Sequence, residues 1–285
     1  MSIRPEGRLV QTRWSNVAHR HPLMIFFALT YAVAWSLWMP LVIFRDGMPG
    51  GLKFGLLLLG SLVPSSVAIL LIAILHGTSG VGKLLRRLLM WRIGLRWYVV
   101  VLAVPMLVPL ALGLSVLLGG ASPVVDATVI SVLALFVFSI FPGSALGEEL
   151  GWRGFALPHL QAGRGALGAS IILGLLWGFW HLPLWLIGTE SSPPGLFPAF
   201  AVSAIALSVI LTWMYNSTGG SLLIVVLLHA SSNLPLTILI APLGGRMTQS
   251  FLISVALLVL AAVAVAAATG TANLSRTQPK QVVTP

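Results

Sequence analysis

Long apolar runs set the terms on which this chain can fold. One covers residues 23–44, and seven more follow at about 52–75, 97–118, 125–157, 167–187, 197–215, 221–240 and 251–268. An α-helix needs roughly 20 residues to cross a hydrocarbon core of about 30 Å, and most of these runs match that length. In lipid every backbone N–H and C=O must find a partner within the protein, which leaves helices and closed β-barrels. Barrel strands alternate apolar and polar residues, whereas Leu56-Leu57-Leu58-Leu59 and the alanine-rich stretch 261–268 do not. The expected fold is therefore all-α, a polytopic membrane bundle of about eight transmembrane helices. It reads as one transmembrane domain over 1–285, with its polar motifs confined to about 125–240.

Composition agrees: 58% of residues are hydrophobic and 8% charged, against about 25% charged in a water-soluble domain. The formal net charge of +10 does not mark a nucleic-acid partner, because the cations fall in short segments between apolar runs instead of forming one patch with interleaved aromatics. Counted by alternate sides of eight spans, thirteen Lys and Arg lie on one side and three on the other. The positive-inside rule then places both termini in the cytoplasm of a multi-pass protein of the cell membrane. The first run is too long for the h-region of a cleavable signal peptide and lacks its cleavage site, so it reads as a retained span. Cysteine is absent, which excludes disulfides and thiolate metal sites.

Outside the spans, Lys83, Arg86, Arg87 and Arg92 interleave with leucines at helical spacing. This reads as an interfacial amphipathic helix held by lipid headgroups, with a substrate-docking surface as the lesser alternative. Trp14, Trp91 and Trp97 fit an interfacial belt. The polar stretch after Ala268 reads as disordered.

Ionisable and amide groups inside apolar runs are costly in hydrocarbon and usually face the bundle interior or a cavity. Only six acidic residues occur in the chain, and two stand together in Gly147-Glu148-Glu149-Leu150-Gly151-Trp152-Arg153-Gly154. Glu149 precedes Arg153 by four residues, the favourable order for an ion pair on one helix face. Glu148 is five from Arg153, about 140° further round at 100° per residue, and is left free to work. A carboxylate in a dry site is suited to act as a general base. Pro142-Gly143 should kink this helix and Pro158 should stop it. Glu148 would then lie about 14 Å from the helix end.

Two further runs carry polar groups. His181 ends Trp177-Gly178-Phe179-Trp180-His181, and His229 and Asn233 are four apart on one face of the seventh run. At 1.5 Å per residue His229 sits about 14 Å deep, matching Glu148, and His181 about 22 Å deep. His181 therefore reaches Glu148 only if its helix begins a turn or two outside the bilayer. Taken residue by residue, these groups also fit headgroup anchoring, core packing and interhelical hydrogen bonding.

The set Glu148-Glu149-x-x-x-Arg153, Trp177-x-x-x-His181 and His229-x-x-x-Asn233, in this order on three spans, resembles the CPBP family of intramembrane glutamic endopeptidases. That family includes CAAX prenyl proteases and bacteriocin-processing and immunity proteins. Its EExxxR, FxxxH, HxxxN/D pattern is matched except that Trp177 replaces Phe, a change expected to alter packing more than chemistry. The resemblance covers about 143–235. It implies that Glu148 and His181 activate a water, that His229 and Asn233 form an oxyanion hole, and that Glu149 and Arg153 support the site. It implies no cofactor. The substrate would be a membrane-associated protein or lipidated peptide, and the chain's other partners membrane lipids.

Two other readings stand beside this one. Glu148, His181 and His229 supply enough ligands for a zinc metallopeptidase, although no HExxH pair exists. Intramembrane acids and histidines also build proton relays, so a proton-coupled transporter or an idle membrane scaffold is the non-enzymatic alternative. The absence of an inverted repeat weighs against the transporter.

Overall fold

The computed structural model describes residues 19–44, 47–122, 127–188 and 193–276. In chain order the helices are α1 (Pro22–Ile43), α2 (Gly50–Arg86), α3 (Leu95–Ala103), α4 (Leu107–Leu117), α5 (Val129–Phe138), α6 (Ala145–Gly151), α7 (Leu157–Gly163), α8 (Ala166–Trp180), α9 (Leu182–Leu186), α10 (Phe197–Ser217), α11 (Leu222–Pro235) and α12 (Thr248–Thr269). No strand occurs among the described residues. The fold is an all-α polytopic bundle, and the chain is an integral multi-pass membrane protein.

Among the described residues, seven helical segments are long and apolar enough to cross a membrane: Pro22–Ile43, Gly50–Leu89, Leu95–Leu117, Val129–Gly163, Pro194–Ser217, Leu222–Ile240 and Thr248–Thr269. The eighth expected span is shorter. Its helix α8 stops at Trp180, His181 turns with φ −78° and ψ −4°, and α9 resumes for five residues. Pro183 explains the break, because it lacks an N–H and its ring opposes the carbonyl four residues back.

The fourth run is interrupted where Pro142-Gly143 predicts, with Phe141 extended (φ −155°, ψ 130°) and Ser144 at φ −159°. Pro158, however, does not stop the helix. A wide turn over Trp152–Ala156, in which Leu157 N–H bonds back to Trp152 C=O, takes up the proline at the second position of α7, and the helix continues to Gly163. Glu148 therefore lies about 22 Å from that helix end, not 14 Å. This is the same distance as His181 lies from Ala166, so the two residues stand level along their helices.

One end of the bundle is tied by polar contacts. Arg87 donates to the Tyr215 hydroxyl, and Ser221 Oγ donates to Met90 O at 2.8 Å. Gln161 and Asn216 exchange amide hydrogen bonds at 3.3 and 3.0 Å, and Asn216 Nδ2 donates to Asn273 O at 2.7 Å. The tail is ordered here, contrary to expectation, through residue 276. Its carbonyls at Ala272 and Thr271 accept from Ala166 N and Leu167 N at 2.7 and 3.0 Å, satisfying N–H groups that a helix start leaves open. Leu274 is fully buried there; residues 277–285 lie outside the described residues. Arg153, counted among the cations of this side, is instead in the bundle interior with no exposed surface. Trp97 is also buried, edge-on to Trp213 at 5.0 Å, whereas Trp91 is exposed as a belt residue should be and Trp14 is outside the described residues.

Helix α6 is seated by close approach to α2. A Cβ on Gly147 would lie 2.6 Å from Ser61 O, and one on Gly151 would lie 2.5 Å from Pro64 O. Small residues at such a contact let membrane helices pack backbone to backbone. Ser65 Oγ adds a hydrogen bond to Leu146 O at 2.8 Å.

Candidate active site

With α6 fixed in this way, its two carboxylates face different neighbours, and both are buried. Glu149 Oε1 accepts from Arg153 Nη1 at 2.8 Å across one helical turn, the pairing the spacing predicts. The same oxygen accepts from His229 Nδ1 at 2.8 Å. A carboxylate oxygen only accepts, so Nδ1 carries a hydrogen and the Nε2 edge of His229 is left for the cavity. His229 and Asn233 share a face of α11 but not a hydrogen bond. Asn233 Nδ2 points to the hydroxyls of Ser139 and Ser144 at 3.4 and 3.3 Å, long contacts that leave its amide weakly held.

Glu148 is not free of partners. Its Oε2 accepts from the indole N–H of Trp177 at 2.6 Å. Trp177 thus adds to its packing a hydrogen bond that the Phe of the family pattern could not make. Its ring also lies edge-on to His229 at 5.2 Å and beneath the Arg153 guanidinium at 4.8 Å. Its carbonyl accepts from His181 Nδ1 at 2.9 Å, which assigns the hydrogen to Nδ1 and leaves Nε2 with a lone pair. Trp180 and Phe200 wall the His181 ring at 4.7 and 5.3 Å.

Two cavities meet at these residues. The first, about 170 Å³, is lined by Glu148, Trp177, His181, His229 and Asn233 together with apolar groups such as Phe200 and Phe251. The second, about 330 Å³, lies toward Trp38, Phe54 and Phe138. Ser144, Glu148 and His181 line both. The structure thus brings Glu148, His181, His229 and Asn233 to one cavity and places Glu149 and Arg153 behind them. Among the described residues no three His, Asp or Glu side chains are disposed to hold a metal ion.

Sequence reasoning missed Ser144, although it stands one turn before Glu148 and its carbonyl accepts from Glu148 N–H at 2.9 Å. Its hydroxyl looked ordinary beside so many other serines in apolar runs. The donor role of Trp177 was also hidden, since periodicity says nothing about which way an indole N–H points.

Comparison with known proteins reaches the same region. Residues 128–235 match the family described as Rce1-like, Type II CAAX prenyl endopeptidase. A curated relative, CAAX prenyl protease 2 of Methanococcus maripaludis, is 26% identical over 234 residues, covering 76% of this chain and 84% of its own length. The matched segment contains Glu148, Glu149, Arg153, Trp177, His181, His229 and Asn233, so the similarity to Rce1-like CAAX prenyl endopeptidases falls on the residues that line and back the cavity.

Proposed function

We propose that this protein is an intramembrane CAAX-type prenyl endopeptidase that hydrolyses a peptide bond of a membrane-associated, lipidated substrate with a water activated by Glu148 and His181. The observation that supports this most is the position of Glu148 and His181 on the wall shared by two cavities, with His229 and Asn233 beside them on one. A substrate segment crossing from one cavity to the other passes its carbonyl over these side chains. The name of the archaeal relative gives the substrate class.

In this mechanism the water sits between Glu148 Oε1 and His181 Nε2. As its oxygen attacks the scissile carbonyl carbon, its proton passes to this pair, and the C=O π electrons move onto oxygen. His229 Nε2 and Asn233 Nδ2 donate to that oxyanion, which requires His229 to carry both ring hydrogens, its Nδ1–H held by Glu149. When the C–N bond breaks, the retained proton goes to the leaving amine. Donors aimed at developing charge in a dry site are each worth a few kcal/mol of barrier. Trp177 holds the Glu148 carboxylate in place through a charge-assisted hydrogen bond.

The test is cleavage by purified protein of a farnesylated peptide ending in a CAAX sequence, beside the same peptide without the lipid, with Glu148→Ala and His181→Ala as comparisons. Cleavage of the lipidated peptide alone, lost in both variants, is expected. Turnover retained in both variants rules the mechanism out, and cleavage indifferent to the lipid rules out the substrate class.

A further inference from the structure

Among the described residues, the basic residues that gather at one end of the bundle have no acidic partners. Glu148 and Glu149 are the carboxylates among the described residues, and both are engaged in the buried site. Lys83, Arg86, Arg92, Arg96, Arg164 and Arg276 are meanwhile exposed at that end. A protein surface with this many uncompensated cations beside a bilayer calls for anionic lipid.

The surface has shape as well as charge. Helix α2 breaks at Gly77, whose φ of 66° and ψ of −168° a glycine adopts without strain. The segment after the break buries Leu84 against the bundle and exposes Leu85, Leu89 and Trp91, so an apolar edge lies beside the cations. Between the elbow at 89–93 and the end of α10 lies a groove of about 430 Å³, lined by Leu89, Met90, Trp91, Arg92, Ser217 and Thr218. The Arg92 guanidinium is stacked on the exposed Trp91 ring at 4.8 Å, held at the groove with its N–H groups open.

We propose that this groove is a binding site for the phosphate headgroup of an anionic phospholipid of the adjoining leaflet. Arg92 and the Ser217 hydroxyl hold the phosphate, and Leu89 and Trp91 lie along the upper acyl chains. The site is mechanically joined to the catalytic helices. Arg87, just before the elbow, bonds Tyr215 on α10, and Met90 O accepts from Ser221, the residue whose hydroxyl caps the start of α11, which carries His229 and Asn233. An occupied groove braces that start.

The experiment uses the full chain in nanodiscs of phosphatidylcholine with and without phosphatidylglycerol, reading retained lipid by native mass spectrometry and the unfolding temperature in parallel. Wild type should retain phosphatidylglycerol over phosphatidylcholine and unfold at a higher temperature in its presence. Arg92→Gln should weaken that retention about five-fold, the worth of one cation at an anionic surface. Arg92→Lys should restore part of it, while Arg164→Gln, which removes the same charge elsewhere on this end, should not weaken it. Equal loss in Arg92→Gln and Arg164→Gln would reduce the effect to general surface charge and overturn the site. So would equal retention of the two lipids by wild type, or an equal rise in unfolding temperature with inorganic phosphate in place of phosphatidylglycerol.

Discussion

Replacing each of the adjacent carboxylates by its amide separates the two roles that the structure gives them. Glu149 stands between two donors, Arg153 and His229, each at 2.8 Å, and both Glu149 and Arg153 are fully buried. Arg153 Nε and Nη2 already lack protein partners, so its charge is balanced chiefly by this one carboxylate. Glu149→Gln leaves a buried cation uncompensated, and breaking a buried pair in this way costs about 3–5 kcal/mol. On the entropy scale of soluble proteins, a 285-residue chain loses roughly 5–8 °C of unfolding temperature for that cost. Glu148 accepts one hydrogen bond, from Trp177, which a glutamine oxygen can still accept. Glu148→Gln should therefore change stability by less than about 1 kcal/mol while removing the base, worth about 10²–10⁴-fold in rate. Thermal unfolding of both variants, followed by intrinsic tryptophan fluorescence and set beside their turnover, tests the division. Equal destabilisation by both substitutions, or an unchanged Glu149→Gln, would refute it.

Three other perturbations bear on the same structure. Asn233→Ala should lower kcat about 10²–10³-fold, the usual worth of one oxyanion donor, with little change in KM by steady-state kinetics. Ending the chain after Gly270 uncaps Ala166 and Leu167 and strips Asn216 of the Asn273 carbonyl. At about 1–3 kcal/mol per unsatisfied buried group, the unfolding temperature should fall by several degrees in a thermal melt. Gly151→Ala forces a methyl against Pro64 O and should cost about 1–3 kcal/mol by the same assay, with a drop in activity as α6 shifts.

How much of this was legible in the sequence varies by element. The helical class followed from backbone satisfaction in lipid, and the Glu149–Arg153 pair followed from spacing alone. Depth did not, because it depended on where helices end: Pro158 lies after a wide turn that lets the helix run on, which no local rule announces. The break at His181 was written in Pro183, yet an apolar run of spanning length concealed it. The ordered tail escaped because its contacts are backbone carbonyls reaching the start of α8, and composition carries no trace of these. The shared carboxylate joining Arg153 to His229 depends on two helices meeting eighty residues apart in sequence.

The central claim is that Glu148 and His181 act on one water as a unit, and non-additivity measures this directly. Single-turnover cleavage of a farnesylated CAAX peptide by wild type, Glu148→Gln, His181→Ala and the double variant forms the cycle. Groups that work as a unit lose nearly everything when either is removed. The double variant is therefore predicted to be no slower than the slower single variant. Losses that multiply in the double variant, or a single variant that turns over at the wild-type rate, would contradict the account.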